Sequence, residues 1–247
     1  MDIIKKTRDD YNRIAPHFSA TRVEARELRQ FIPFIAPGQR ILDWGCGNGR
    51  LVYILQNKGV EYIGTDQSAG LLEQAEELFQ KEIKEGWVKF ICTDPTVETR
   101  FIASSSQRSS KEVKFPENYF DLIFMIASFH HLPDEASRLE LLQKVFKELK
   151  QDGKLIITVW NLESDWAKEK LQSGYKKMGE YDYLVPWKTK EGEVLVERYY
   201  HHFTKDELEK LMREAGFNIE EMYFESKGEK VLEKEGRNLV VVANMTK

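Results

Sequence analysis

The chain has 247 residues and a formal charge of −4, with 41% hydrophobic and 32% charged residues. That is enough for one full-sized α/β domain, or a domain plus a cap, with a large core and a well-solvated surface. The acidic balance excludes broad nonspecific binding to nucleic acid but leaves room for a local basic patch. Cys46 and Cys92 provide neither a disulfide framework nor metal-ligand spacing. No signal peptide or bilayer-spanning apolar run is visible, so a cytoplasmic protein away from membranes is expected.

In chain order, residues 3–35 read as amphipathic helix. Ile3, Ile4, Tyr11 and Ile14 recur near helical spacing, and Pro16 is expected to end that segment. Val23, Leu28, Phe31 and Ile35 mark a second helix before Pro37-Gly38. The polar-aromatic string from Tyr11 to Arg22 has two readings: a packing arm anchored by Tyr11 and Phe18, or a flap over a ligand.

Next comes Arg40-Ile-Leu-Asp-Trp-Gly-Cys-Gly-Asn-Gly-Arg50. It reads as a buried strand, Ile41 to Trp44, then a turn with Gly45, Gly47 and Gly49, then a helix through Leu51, Val52, Ile54 and Leu55. Glycines let backbone pass close under a ligand, and the helix start behind them offers free N–H groups. Such a turn at the carboxyl end of a parallel strand suits an adenosine-containing ligand. The alternative is an ordinary strand–turn–helix with glycine caps. A second strand, Val60 to Asp66, ends in an acid at roughly the 20-residue offset of a ribose-binding carboxylate.

Ser68 caps a helix with an apolar face of Leu71, Leu72, Ala75 and Leu78, and Trp87 to Cys92 is a third strand. The polar stretch 96–116, with its serine-rich run 104–110, reads as a surface loop. Tyr119 to Ser128 is a near-continuously apolar fourth strand running into Phe129-His-His-Leu-Pro133. Asp134 caps a helix expected to close at Gly153, and Lys154 to Trp160 is the fifth strand. Strand–helix alternation of this kind predicts a doubly wound, mostly parallel sheet.

The last third breaks that rhythm. Glu163 to Met178 reads as a basic helix, followed by Asp182 to Trp187 and by Arg198-Tyr-Tyr-His-His-Phe203. Thr204 and Glu207 form a capping box for a helix ending at Gly216. Two closing strands, near 218–224 and 238–244, are joined by a charged hairpin connection. Lys168, Lys170, Lys176, Lys177, Lys188 and Lys190, interleaved with Trp166, Tyr175 and Trp187, form either an RNA-facing surface or a solvated helix face.

The D-x-G-x-G-x-G turn resembles motif I of the class I S-adenosylmethionine-dependent methyltransferases. Four stretches together resemble the tRNA wobble-uridine carboxymethyl methyltransferase family. They are Tyr11 to Ser19 with Thr21-Arg22, Leu42 to Gly49, Ser128 to Leu132, and Leu184 to Trp187 followed by Arg198 to His201. The first three are shared by many class I enzymes; the last pair discriminates. The resemblance implies an α/β fold with a doubly wound, mostly parallel seven-stranded sheet. It divides the chain into an N-terminal flap (1–37), a cofactor core (38–161), a cap after the fifth strand (162–203) and closing elements (204–247). It places S-adenosyl-L-methionine against Tyr11, Arg22, Asp43, Gly45, Gly47, Asn48, Asp66, Gln67, Asp94 and Ala127. Tyr11 and Arg22 are expected near the methionine carboxylate. Catalytic residues are expected at Arg198, Tyr200, His201 and His131, and tRNA is the implied partner. Eukaryotic members also use a small zinc-binding activator subunit. A small-molecule methyltransferase and a non-catalytic adenosylmethionine-binding module are the competing readings.

Overall fold

The computed structural model describes residues 2–22, 26–93, 113–171 and 174–245. Val23, Asp94 and the serine-rich run 104–110 lie outside the described residues.

Helix α1 (Ile3–Thr21) is capped by Asp2, which accepts the Lys5 N–H at 2.9 Å. Pro16 does not end it. A proline removes one helical hydrogen bond and crowds the preceding turn. Here both flanks are held, since Ile14, Ala15 and Ser19 are buried. The second expected helix is a run of 3-10 turns, Arg26–Phe34, with Pro33 inside it.

The core follows as β1 (Arg40–Trp44), α2 (Val52–Leu55), β2 (Glu61–Asp66), α3 (Ala69–Leu78), α4 (Gln80–Lys84), β3 (Val88–Cys92) and β4 (Phe120–Ile126). Then come α5 (Glu135–Glu148) and β5 (Leu149–Trp160). Gly153 does not close α5. It is buried inside β5, where a Cβ would lie 2.8 Å from the Leu149 side chain and 3.0 Å from the Asp121 carbonyl. Close approach to a neighbour, not a helix cap, explains this glycine.

The expected helix 163–178 is split. Only α6 (Asp165–Leu171) is helical, and Lys176–Lys177 form a short strand, β6. Gly174 between them has φ +120°, which no helix continues through. β7 (Asp182–Lys188) and β8 (Val194–His201) complete a separate antiparallel sheet in the order β6-β7-β8. The chain closes with α7 (Lys205–Glu214), β9 (Phe217–Ser226), β10 (Glu229–Val231) and β11 (Asn238–Met245).

The main sheet has eight strands in the order β10-β9-β11-β5-β4-β1-β2-β3, one more than expected. The extra strand is β10, inside the charged connection. Lys227 and Gly228, φ +58° and +91°, make the two-residue turn of a β9–β10 hairpin. β3, β2, β1, β4 and β5 run parallel, and β11 enters antiparallel between β5 and β9. Strand order reverses between β1 and β4, so the crevice beyond their carboxyl ends is the natural ligand site. Two apolar clusters fill the two faces of this sheet, one around Phe31, Tyr62 and Phe124, the other around Phe129, Leu142 and Phe217. α1 packs on α3 and β8, tying the core to the second sheet across that crevice. No helix among the described residues is long and apolar enough to cross a membrane.

Candidate functional site

A cavity of about 1110 Å³ opens at the switch point. Its floor is the glycine turn. Gly45 and Gly47 have φ of +74° and +56°, and a Cβ on Gly45 would lie 2.4 Å from the Ser128 Cβ. This turn can therefore approach β4 only without a side chain. Ala127, at the end of β4, also has positive φ, +52°, held by its N–H donating to Thr158.

Asp66 ends β2 with both oxygens engaged. One accepts the Gly47 N–H and the other the Ser68 N–H, each at 2.8 Å. It thus fixes the glycine turn and the start of α3 together. Burial still pushes its carboxyl upward, against the pull of those N–H groups. Asn12 reaches across from α1, its Oδ1 accepting from Ser68 Oγ at 2.8 Å and Gly70 N at 2.9 Å.

Asp43 is 3% exposed. Its Oδ2 accepts from the Tyr62 hydroxyl at 2.9 Å, while Oδ1 has no partner among the described residues. Burial, helped by nearby Asp66, raises its carboxyl to about 7. The folded state therefore holds this proton more tightly than the unfolded chain. Asp43's contribution to stability is complete below pH ~4 and is lost as pH climbs toward ~7. An Asp43→Asn variant removes that dependence. Ligand-free unfolding followed from pH 4 to 8 should show the variant gaining on the wild type as pH rises. Parallel stability curves would refute the assignment.

The opposite wall carries positive charge. Arg198 is 3% exposed and lies over the rings of Trp187, Tyr200 and Tyr11, 4.8, 5.1 and 5.6 Å from their centroids. Its Nη1 donates to the Tyr11 hydroxyl at 3.1 Å, and its Nε has no acceptor. No carboxylate pairs with it among the described residues; Asp10, close enough to feel its charge, is bonded to Lys6 at 2.5 Å. The Tyr11 oxygen lies 2.9 Å from His131 Nε2, and His131 Nδ1 lies 2.7 Å from the Tyr199 carbonyl. A carbonyl only accepts, so Nδ1 carries the proton. Burial, with Arg198 nearby, keeps the imidazole well below its usual value and so neutral. Nε2 then accepts from the Tyr11 hydroxyl. The Arg22 guanidinium lies 5.5 Å from the Trp187 ring centroid and 6.0 Å from that of Phe18.

Tyr11, Arg22, Asp43, Gly45, Gly47, Asn48, Asp66, Gln67, Ala127, His131, Arg198 and Tyr200 all line this one cavity. The Tyr11 hydroxyl is bonded to Arg198 and His131, and it is also near enough to Arg22 to feel its charge. α1 packs on α3 and β8 while its Tyr11 and Phe18 line the cavity. His201 is not in the lining. Alternate residues of a strand face opposite sides, so Arg198 and Tyr200 face the cavity while Tyr199 and His201 face away. His201 instead bridges Asp182 at 2.9 Å and Glu207 at 3.0 Å, and Arg138 holds Glu207 at 3.1 Å. This network fastens the small sheet to α5 and α7. His201→Ala should cost about 2 kcal/mol of unfolding free energy, because it strips partners from two half-buried carboxylates. Urea unfolding would measure this, with adenosylhomocysteine affinity held within twofold; a loss of affinity instead would return His201 to the site. Trp187 is 8% exposed, with its indole N–H on His17, so it is not a platform for unpaired bases. Asp94 lies outside the described residues.

Sequence reasoning missed Asn12, Tyr62 and Trp160. Trp160 lines the cavity from the carboxyl end of β5, and that strand-end position was the available signal. Among the described residues, no group of His, Cys, Asp or Glu could hold a metal ion.

The residues present fit a cofactor with ribose hydroxyls and cationic groups. Asp43, with its unpartnered oxygen, lines the cavity beside Asp66 and the glycine turn, and Arg22 lines it too as a cation for a ligand carboxylate. Residues 17–222 match the family model for a methyltransferase domain. An S-adenosylmethionine-dependent methyltransferase from Clostridium acetobutylicum shares the fold, with a TM-score of 0.63 at 16% identity over 96% of this chain and 99% of that one. The architecture and the cavity are those of a methyltransferase that uses S-adenosyl-L-methionine.

The tRNA (carboxymethyluridine(34)-5-O)-methyltransferase of Schizosaccharomyces pombe is 30% identical over 85% of this chain and 87% of its own. The Saccharomyces cerevisiae enzyme of the same name is 30% identical over 72% of this chain, which spans about half (54%) of that relative. The chain belongs to this family of methyltransferases.

Proposed function

We propose that the chain methylates the carboxylate of a 5-carboxymethylated wobble uridine in tRNA. One observation carries this reading: Arg198 is a buried cation in the cavity wall with no carboxylate partner among the described residues and an unused Nε–H. An anionic acceptor supplies what that guanidinium lacks, by two parallel charge-assisted bonds.

S-adenosyl-L-methionine supplies an electrophilic methyl group on a sulfonium. Asp43, Asp66, Gln67, Asn48, Arg22 and the glycine turn would hold it. A carboxylate titrates near ~4 and is already ionised at neutral pH, so no general base is needed. The site agrees with this, because His131 is neutral with both nitrogens committed. It positions the Tyr11 hydroxyl, and through it Arg198, instead of removing a proton. Transfer replaces two opposite charges with neutral groups, and the aromatic wall of Tyr11 and Tyr200 favours that change over open water. What the protein must do is align the reactants.

The test mixes protein, labelled adenosylmethionine and tRNA bearing carboxymethyluridine. Alkali-labile methyl groups on the anticodon are expected. No incorporation, with turnover of a small metabolite instead, overturns the reading. Running the assay with the chain alone also tests whether this protein needs a small activator subunit.

A further inference from the structure

Beyond the acceptor pocket the aromatic wall continues outward. Tyr200 lies 4.8 Å from Trp160, Trp160 meets Trp166 edge-on at 6.2 Å, and the Arg237 guanidinium lies 5.1 Å from the Trp166 centroid. All four residues line the same cavity. Methyl transfer to a single nucleotide uses neither Trp166 nor Arg237. Both stand where the cavity passes to the surface, with Trp166 half-buried and Arg237 exposed.

Arg237 makes no ion pair among the described residues. The nearby acid, Glu225, is 2% exposed and occupied by the Asn238 amide and the Gly228 N–H, the latter at 2.8 Å. The pair also sits on fixed backbone. Asn161, 2% exposed, donates its side-chain amide to the Glu233 carbonyl at 2.8 Å and the Gly236 carbonyl at 3.0 Å. Its own N–H donates to the Arg237 carbonyl at 2.8 Å, and the Asp165 N–H donates to the Lys234 carbonyl at 2.9 Å. The loop before β11 is thereby clamped to the start of α6, and Arg237 is held over Trp166.

We propose that Trp166 and Arg237 form a second nucleotide subsite, which takes the base and phosphate adjoining the methylated nucleotide in a single-stranded RNA loop. The inference rests on the tRNA reading above for the identity of the RNA. Its chemistry is local: unpaired bases stack on aromatic rings and guanidinium planes, and an exposed arginine without a carboxylate partner takes a phosphate. Trp160 and Trp166, both half-buried in the cavity lining, offer ring surface to a base on the way out of the acceptor pocket.

The test is binding of a fluorescent anticodon stem-loop to the full chain, beside calorimetric binding of adenosylhomocysteine. Trp166→Ala should weaken stem-loop binding about tenfold or more, as expected for loss of one stacking platform. Trp166→Phe should restore most of it. Arg237→Ala should weaken binding and lower the salt slope by about one. Adenosylhomocysteine affinity should hold within twofold in all three. Stem-loop affinity unchanged within twofold in both alanine variants overturns the subsite, as does a parallel loss of adenosylhomocysteine binding. If the wild type binds the stem-loop and the variants weaken it, but a small metabolite is methylated and a carboxymethylated stem-loop is not, the subsite stands and the acceptor assignment falls. If the wild type binds no stem-loop, both fall.

Discussion

Arg198→Ala should lower kcat/KM on a carboxylate acceptor by about a hundredfold or more, with adenosylhomocysteine affinity within threefold of wild type. Truncating one partner of a buried, hydrogen-bonded charge pair costs ~2–5 kcal/mol, and each 1.4 kcal/mol is tenfold. The large end of that range is expected here. The guanidinium has already lost its water, is packed between Trp187, Tyr200 and Tyr11, and has an unsatisfied Nε. An acceptor carboxylate entering a wall without it would be desolvated with nothing in return. Arg198→Lys should recover part of the loss, since it keeps charge but not the planar fork. Single-turnover methyl transfer and calorimetry separate the two effects. Equal loss of both would mean that Arg198 holds up the cavity wall and binds no acceptor.

This contrast was only half legible in the sequence. Strand-end acids and a glycine turn are local features, and local patterning placed Asp43, Gly45, Gly47 and Asp66 in one cavity. The acceptor side depends on which way β8 faces, and period-two alternation cannot supply that without a register. Arg198 and His201 are neighbours in one conspicuous string, yet they face opposite sides of the strand. One enters the cavity and the other joins Asp182 and Glu207 in a structural network. The same limit applies to Trp187 and Trp166. Both are tryptophans among lysines, but Trp187 is enclosed by α1, whereas Trp166 stands at the cavity mouth. Breaks in periodicity misled where long-range packing intervened. Pro16 was outweighed by burial on both flanks of α1, and Gly153 marks a close approach to Leu149 and Asp121. The lysines at 168, 176 and 177 face Glu163 and Glu197, so much of their charge is shared with carboxylates. Arg237 has no such carboxylate partner among the described residues and lines the cavity.

Asp66→Ala should weaken adenosylmethionine binding between about tenfold and a hundredfold. The direct part is loss of a charged acceptor for ribose hydroxyls, ~1.5–3 kcal/mol. A second part comes from the frame: the carboxylate joins the Gly47 and Ser68 N–H groups, and without it the glycine turn and the start of α3 lose their common anchor. Asp66→Asn distinguishes the two. Its amide keeps one oxygen to accept from a backbone N–H but places a donor where the other stood, so one of the two N–H groups loses its partner. The asparagine variant should therefore bind more weakly than wild type and more tightly than the alanine variant. Calorimetry gives the affinities, and urea unfolding without ligand shows how much of the loss is structural. If Asp66→Ala binds as tightly as wild type, the β2 carboxylate serves only the turn, and the ribose must be held elsewhere in the cavity.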